Sequence, residues 1–471
     1  MNETNGWFIL TVYKRWIRGT VVHVCRYRLM KKGSTSVTRP GLQALPKIFI
    51  LFAGLHFLLG AALGAWMAGD RYAISYIVNV HAEINPFGWL TMMIYGMTYA
   101  VLGVSAGLRL PWRWLGWLHF GMAETGILIV VVGILTRADA VGLVGGLLQA
   151  AAPVVFLVNI LSAVFASKRH RSSEGSAEHR HLPAELEFLG RFPQLRDSDR
   201  IAQRGTDVAL MAFVIAVLWA AEQSISYGRW TWLDMPVPAY LIMAGWIGGT
   251  LLAVSLHLFP RFFGIGAMPR GVIRWVQGLW GLSLVSAVLE DFLGHPQFRL
   301  ANTMFAVALI ILSVTYAWFL FRSARQQWRT TGPAALAWCG AFACAFALGI
   351  WLLTGQDLRS VAAMHLLFLG WATTLIYSVG YTLFPLFFHT PPVSLKWSYG
   401  QVIGSLVGTF LLIVGLQMGQ AQSVVSSDFV QGLTGLGGLL AALSAYVFMG
   451  QWFWRRRGTA RTPAPKASTP R

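Results

Sequence analysis

The stretch LLFLGWATTLIYSVGYTLFPLFF at residues 366–388 carries a pattern that occurs in two other parts of the chain. Its Gly370-Trp371 pair matches Gly88-Trp89 and Gly245-Trp246. The first and third copies share Thr, Tyr and Tyr at three, seven and eleven positions after the glycine, and the second and third copies share Leu-Phe-Pro. The shared tyrosines are Tyr95, Tyr99, Tyr377 and Tyr381. Residues four apart lie on one face of a helix, so the pattern predicts a helix that the chain repeats three times.

The composition excludes an ordinary soluble protein. Of 471 residues, 56% are hydrophobic and only 12% are charged, whereas soluble domains contain about 25% charged residues. Three cysteines in this length exclude a secreted disulfide scaffold, and none of them forms the CxxCH motif that attaches a c-type haem. The remaining class is a polytopic membrane protein with an all-α fold.

Stretches of about 20 apolar residues, the length that crosses a bilayer, occur twelve times. The repeated pattern falls in the second, sixth and tenth of them. This spacing predicts three related four-helix units, whereas a transporter made of two duplicated halves would repeat after six helices. The predicted spans are 46–68, 82–106, 112–136, 141–165, 206–226, 237–260, 272–292, 299–321, 333–354, 361–385, 397–418 and 429–453.

The distribution of basic residues predicts the orientation of these spans. Lys and Arg concentrate in the two tails and in alternate loops, as they do in cytoplasmic segments. We therefore expect cytoplasmic termini, with a basic tail over 1–45, a membrane domain over 46–455 that includes a cytoplasmic loop at 166–205, and a C-terminal tail over 456–471. The net charge of +19 thus follows the topology, which makes the lipid bilayer the expected partner and excludes nucleic acid.

Histidines in the apolar spans are the candidate ligands, because ionisable groups inside a membrane usually have a function. His81 and His365 stand seven and five residues before the Gly-Trp pairs of the second and tenth spans. Imidazole binds haem iron and copper, so we expect a haem or a metal between these two helices. The alternative is that both histidines cap or bond to neighbouring groups. His56, His119 and His257 are weaker candidates, since a lone histidine on an apolar helix commonly makes a packing contact.

Two carboxylates lie deepest in apolar segments, Glu124 in the third span and Glu222 in the fifth. They are candidates for proton handling, or for protonated side chains that bond to a neighbour. The repeated tyrosines leave similar alternatives open, either a hydrogen-bonded proton path or packing between helices.

The segment His81-Ala-Glu-Ile-Asn-Pro-Phe-Gly-Trp89, the Leu-Phe-Pro ends of the sixth and tenth spans and the three four-helix units resemble subunit I of the haem–copper oxidases. The similarity extends to cbb3-type and NnrS-like membrane proteins, the latter containing haem and copper and linked to nitric oxide stress. In the oxidases, helices 2 and 10 supply the axial ligands of a low-spin haem, and helices 6 and 7 hold copper. The seventh span here has no histidine, so the resemblance implies haem without a complete haem–copper centre.

The resemblance implies a haem-dependent oxidoreductase in respiratory electron transfer, or a protein that handles O2 or NO, in a prokaryotic inner membrane. It implies a b-type haem, with copper possible, and an electron-donor cytochrome or respiratory subunit as partner. Two alternatives stay open, a cofactor-free transporter with twelve helices and a non-catalytic assembly or partner subunit of a respiratory complex. The implied haem residues are the axial ligands His81 and His365, the packing residues Trp89, Trp371, Tyr95 and Tyr377, and the propionate partners Arg71 and Arg359, for which interfacial snorkelling is the alternative.

Overall fold

Helices account for all the regular structure in the part of the chain that the computed structural model describes, which is residues 44–70, 75–105, 112–173, 196–263, 267–295, 297–323, 332–388, 393–420 and 427–453. Apart from residues 44 and 45, both predicted tails lie outside these ranges. The twelve helices are α1 (Ala44–Gly69), α2 (75–105), α3 (Arg113–Thr136), α4 (Asp139–Ser173), α5 (Arg196–Tyr227), α6 (236–263), α7 (Arg270–Phe292), α8 (Arg299–Ser323), α9 (Pro333–Leu353), α10 (361–388), α11 (Leu395–Gln420) and α12 (Ser427–Phe453).

Each predicted span coincides with one of these helices. Among the described residues, eleven helices are long and apolar enough to cross a membrane. The remaining helix, α2, carries the polar residues Asn79, His81 and Glu83 in its first turns. The chain is therefore a multi-pass helical membrane protein.

The connector predicted at 166–205 is shorter in the structure. The helix α4 continues to Ser173, and α5 begins at Arg196. Charged residues such as those in Arg196–Arg204 are compatible with a helix, and they lower the hydropathy without ending it. A prediction based on apolar length therefore ends α4 too early and begins α5 too late.

Three helices, α2, α6 and α10, form the centre of the molecule. The most apolar window of α6 is 89% buried and that of α10 is 67% buried, against 39–50% for the other nine candidate spans. Segments of α2, α6 and α10 contact one another pairwise. The outer helices thus keep one side available to lipid, while the central three pack mainly against protein.

Each central helix contains a π-helical segment of eight residues, Ile84–Thr91, Leu241–Gly248 and Leu366–Thr373. In each segment the Gly-Trp pair takes the fifth and sixth positions. Residues at equivalent positions of the sequence pattern therefore occupy equivalent positions in the three π-helical segments. Short π-helical segments within α-helices frequently mark functional sites.

Tryptophan side chains link the central helices to one another. Trp89 Nε1 on α2 donates to Thr373 Oγ1 on α10 at 3.0 Å. Trp246 Nε1 on α6 donates to Thr91 Oγ1 on α2 at 2.9 Å. Each bond joins the same two positions of the repeat, since the donor stands one residue and the acceptor three residues after the glycine. The three helices therefore form a ring in which each bond is donated in the same sense, from α6 to α2 and from α2 to α10.

The third bond of this ring is missing. Trp371 is fully buried, and its Nε1 has no hydrogen-bond partner among the residues that the structure describes. Gly248 stands in α6 at the position equivalent to Thr91 and Thr373. A Cβ at Gly248 would lie 2.9 Å from Phe305 Cζ. The glycine thus leaves room for Phe305 of α8, and no Trp–Thr hydrogen bond joins α10 to α6 among the described residues.

Replacing Trp89 or Trp246 by Phe is expected to lower the free energy of unfolding by about 1–2 kcal/mol more than replacing Trp371 by Phe. All three substitutions remove the same part of the ring, but only the first two break a hydrogen bond to a buried threonine. Thermal unfolding of the purified variants in detergent measures the difference. Equal losses for the three variants would contradict this account of the ring.

Candidate functional site

His81 and His365 are neighbours at the ends of α2 and α10. Their ring centroids are 6.1 Å apart, and the two ring planes make an angle of 18°. Both residues are partly buried. The end of the molecule where they lie is called the histidine end below, and the opposite end is called the far end.

The offset of two residues between these histidines follows from the ring of central helices. Two residues correspond to about 200° of rotation around an α-helix. In a ring of three related helices, each helix turns one side to the preceding helix and the other side to the next. Partners at a junction therefore come from different repeat positions, as they also do in the bond from Trp89 to Thr373.

A backbone carbonyl holds each imidazole. His81 Nδ1 donates to Gly60 O on α1 at 3.0 Å, and His365 Nδ1 donates to Val361 O in its own helix at 2.7 Å. A carbonyl only accepts, so Nδ1 of each neutral ring carries the hydrogen and Nε2 carries the lone pair. Neither Nε2 makes a hydrogen bond within the described part of the chain. Metal-binding histidines are commonly held in this way through their second nitrogen.

Two glycines on α1 make room for the first turns of α2. A Cβ at Gly64 would lie 2.8 Å from His81 Cε1, and a Cβ at Gly60 would lie 2.5 Å from Asn85 Oδ1. Asn85 donates from Nδ2 to the backbone carbonyl of His81 at 2.7 Å. The close approach of the two helices is what places the His81 ring against Gly60 O.

The centroid distance of 6.1 Å between the two rings is close to that of two imidazoles bound to one ion from opposite sides. A metal–imidazole bond is about 2 Å long, and the ring centre lies about 1 Å beyond the nitrogen, so rings on opposite sides of one ion have centres about 6 Å apart. Within the described ranges, no group of three or more His, Cys, Asp or Glu side chains could hold a metal. A haem brings four equatorial nitrogens of its own and needs only axial ligands. This donor set therefore fits a haem better than a bare copper ion.

The aromatic residues expected near a porphyrin lie at two depths. Trp89 and Trp371 follow the histidines by about 12 and 9 Å along the helices. Trp89 stacks on Phe57, with ring centroids 4.1 Å apart. Tyr95 and Tyr377 lie deeper, about 21 and 18 Å from the same histidines. The tryptophans are thus the nearer pair, and the tyrosines lie toward the far end.

Arg359 lies in the loop that leads into α10. Its guanidinium forms a salt bridge with Asp357, in which Nη2 and Oδ2 are 2.6 Å apart, and it lies 5.2 Å from the centre of the Phe298 ring. The Ser360 side chain caps the start of α10. The other arginine expected to pair with a propionate, Arg71, is outside the described residues.

The three weaker histidine candidates have other polar contacts. His56 Nε2 lies 3.0 Å from Glu124 Oε2 in a buried pair between α1 and α3. His119 Nδ1 lies 3.1 Å from the Tyr99 hydroxyl on α2. His257 Nδ1 donates to the carbonyl one turn earlier in α6 at 2.6 Å. None of these three contacts involves the histidine pair.

A buried carboxylate that the sequence analysis did not select is Glu83. Only 3% of it is exposed, and it accepts hydrogen bonds from Gln149 Nε2 at 2.6 Å and from Trp232 Nε1 at 2.9 Å. Glu83 stands five residues before its glycine, which is the position of His365 in α10 and of Tyr240 in α6. Aligning the three copies of the pattern in the sequence shows that Glu83 occupies the same position as His365. Its hydrogen-bond partners cannot be found in this way, because they come from α4 and from the α5–α6 loop.

The two candidate carboxylates lie in different environments. Glu124 is buried, and both of its oxygens lie within hydrogen-bond distance of His56 Nε2. Glu222 is exposed, because α5 turns Ala221 and Ser224 toward the interior and Glu222 away from it. Glu124 thus faces the protein interior and Glu222 faces away from it, and a proton-handling role for either stays a prediction.

The fold recurs in a protein of known structure. The chain is similar to a chain of a haem–copper terminal oxidase dimer solved by cryo-electron microscopy, with a TM-score of 0.58, 14% sequence identity, and coverage of 87% of this chain and 82% of that chain. No protein-family model matches the sequence, and neither does any curated protein. The chain is therefore a multi-pass helical membrane protein with the fold of a haem–copper terminal oxidase chain.

Replacing Glu124 by Leu is expected to lower the free energy of unfolding by about 3 kcal/mol or more, because His56 would stay buried without its partner. Replacing the exposed Glu222 by Leu is the matched control and should change it by less than about 0.5 kcal/mol. Thermal or denaturant unfolding in the same detergent compares the two variants. A loss for Glu124→Leu no larger than that of the control would show that the pair adds no stability.

Proposed function

We propose that this chain is a membrane haem protein in which His81 and His365 are the two axial ligands. The observation that carries the proposal is the imidazole pair, with centroids 6.1 Å apart and Nδ1 of each ring held by a carbonyl. The fold of a haem–copper terminal oxidase chain supports it. A haem held by two histidines exchanges one electron between its ferric and ferrous forms.

Two histidine ligands favour electron transfer over chemistry at the iron. If both histidines held the iron, O2 or NO would have no free position on it unless one histidine moved away. The hydrogen bonds to Gly60 O and Val361 O oppose this movement, because they hold each ring in its orientation. We therefore assign electron transfer as the role, and a gas-handling role would require one of the two histidines to be free of the iron.

The surrounding residues offer apolar contacts for the porphyrin ring and basic partners for the propionates of a b-type haem. Trp89 and Trp371 offer apolar packing at the next depth of the bundle, and no CxxCH motif is present for covalent attachment. Arg359 would share its guanidinium between Asp357 and a propionate, with Arg71 as the second propionate partner. Copper is not needed for this role.

Electron transfer requires a donor, and we propose a cytochrome or a respiratory subunit that docks at the histidine end. His81 and His365 lie in the first turns of α2 and α10, so this end gives the shortest path to the iron. The alternation of basic loops supports cytoplasmic termini, with the histidine end facing outward from a prokaryotic inner membrane. An NnrS-like or cbb3-like oxidoreductase is the assignment within the superfamily that we propose.

The protein purified from haem-replete cells is expected to show a Soret band and the reduced-minus-oxidised spectrum of a six-coordinate low-spin haem. His81→Ala and His365→Ala should each lose the low-spin signal, because each removes one axial bond. His295→Ala removes an exposed histidine and should leave the spectrum unchanged.

Three other outcomes would contradict parts of this proposal. Absence of a Soret band would exclude the haem and favour a cofactor-free transporter or a non-catalytic partner subunit. A low-spin signal that survives in both histidine variants would show that other residues hold the haem. Rapid binding of CO or NO to the reduced wild-type protein would indicate gas handling in place of electron transfer.

Gly64→Ala is expected to lower the haem content severalfold. The added Cβ would lie 2.8 Å from His81 Cε1 and push the ring away from Gly60 O. Gly69→Ala is the matched control, because a Cβ there meets nothing within 4 Å. The ratio of Soret to protein absorbance measures the content, and equal ratios in the two variants would show that α1 does not position His81.

A further inference from the structure

Basic residues are scarce at the histidine end, yet two of them line the same cavity. Each connection at this end, counted up to the first residue of the next helix, holds at most one arginine and no lysine. The five arginines are Arg71, Arg137, Arg229, Arg299 and Arg359. The orientation of the bundle does not call for them, because the basic residues that set it lie at the far end. Arg137 and Arg229 nevertheless line one cavity of about 280 Å³, which lies between α2, α3, α4 and the α5–α6 loop.

The tight turn between α3 and α4 places Arg137 at this cavity. A Cβ at Gly133 would lie 2.5 Å from Gly142 Cα, so the two helices approach closely just before and after the turn. Arg137 caps the end of α3 in the left-handed conformation, with φ 55° and ψ 33°. Glycine and asparagine adopt this conformation most readily. The arginine side chain reaches across to α2, where its Cζ lies 5.9 Å from the centre of the Tyr76 ring.

The end of α5 places Arg229 at the same cavity. Gly228 has a φ of 68°, and the backbone N–H of Arg229 donates to Ser224 O at 3.1 Å, which is the pattern that commonly ends a helix. The next residue, Trp230, lies against α4, where a Cβ at Gly146 would clash with its ring. Trp230 therefore anchors the loop on the cavity wall and keeps Arg229 beside it.

The other polar residues of the lining are Tyr76, Asn79 and Asp139. The tyrosine hydroxyl and the asparagine amide can donate hydrogen bonds, and the carboxylate of Asp139 accepts them. Arg229 Nη2 lies 3.7 Å from Asp234 Oδ2, but these two side chains are 56% and 67% exposed, so solvent weakens their pairing. Two guanidinium groups against one carboxylate leave the lining with a net positive charge. The cavity therefore favours an anion that also carries a hydrogen-bond donor for Asp139.

Exposed apolar side chains lie beside the residues of the cavity. Val141 and Val144 stand on either side of Gly142 in α4, and Ile225 stands one turn before Arg229 in α5. The helices α4 and α5 contact each other. Acyl chains that pack on these side chains bring the headgroup of the same lipid to the level of the cavity. A volume of about 280 Å³ suits such a headgroup, since it is close to the smallest ordinary ligand sites.

We propose that this cavity binds the phosphate of an anionic phospholipid, of the phosphatidylglycerol type, between Arg137 and Arg229. Guanidinium groups bind phosphate oxygens in a bidentate manner, and the single negative charge of a phosphodiester offsets the positive charge of the lining. The headgroup hydroxyls donate to Asp139, and Tyr76 and Asn79 donate to the headgroup oxygens. The lipid thereby links the α3–α4 turn to the α5–α6 loop, and its binding does not depend on the proposed haem.

A photoreactive phosphatidylglycerol tests this site in the full-length wild-type protein in nanodiscs. With a diazirine near the glycerol end of one acyl chain, it is expected to label the peptide that contains Val141 and Val144. A diacylglycerol with the same diazirine lacks the phosphate and should label this peptide severalfold less, as read by mass spectrometry. Inorganic phosphate should leave the labelling unchanged, whereas unlabelled phosphatidylglycerol should reduce it. The comparison needs no variant to fold.

A double variant, Arg137→Asn with Arg229→Gln, extends this test. It removes both guanidinium groups, and asparagine tolerates the left-handed conformation at position 137. Labelling of the same peptide is expected to fall severalfold. Arg299→Gln is the matched control and should leave the labelling unchanged, because it removes an exposed arginine at the same end that lies outside the cavity.

Three results would overturn the proposal. Equal labelling by the two lipids would show that the phosphate is not recognised. Equal labelling of the double variant and the wild type would show that these arginines do not hold the lipid. Loss of labelling in the presence of inorganic phosphate would assign the cavity to a free anion. The failure of the haem proposal would appear elsewhere, as the absence of a Soret band, and would leave the lipid labelling unchanged.

Discussion

The hydrogen bonds from Trp89 to Thr373 and from Trp246 to Thr91 are the interactions on which the arrangement of the bundle depends. They lie among apolar helices, where water is not available to replace a lost partner. Each bond therefore sets both the depth and the rotation of two central helices relative to each other. The outer helices pack around this ring. Because the ring fixes how α2 and α10 are placed, it also determines where their side chains lie at the histidine end.

The candidate site combines two kinds of support. His365 is held by its own helix, through Val361 O, whereas His81 is held by a different helix, through Gly60 O. The approach of α1 to α2 is in turn backed by α12, where a Cβ at Gly438 would lie 2.7 Å from the Ala68 side chain. Both imidazoles thus lie on rigid helical elements, which is the condition for a preorganised ligand geometry in the haem site that we propose.

Much of the fold could be predicted from the sequence, because its signals are local. Apolar length predicts the helices, and the Gly-Trp pairs predict which three of them are related. The environments of Glu222 and Glu83 could not be predicted, since they depend on which way a helix turns and on partners such as Gln149. The pairing of His81 with His365 was a candidate, but their offset has a physical reason only once the helices are seen as a ring.

The three central helices meet at three junctions, two of which share the Trp–Thr hydrogen bond. At the first, position minus seven of α2 meets position minus five of α10, which are His81 and His365. The equivalent repeat positions are Pro238 and Glu83 for α6 and α2, and Ala363 and Tyr240 for α10 and α6. Equivalent positions of the three helices therefore carry different side chains at each junction. The imidazole pair belongs to one junction, and the packing of the three helices does not require the same residues at the other two.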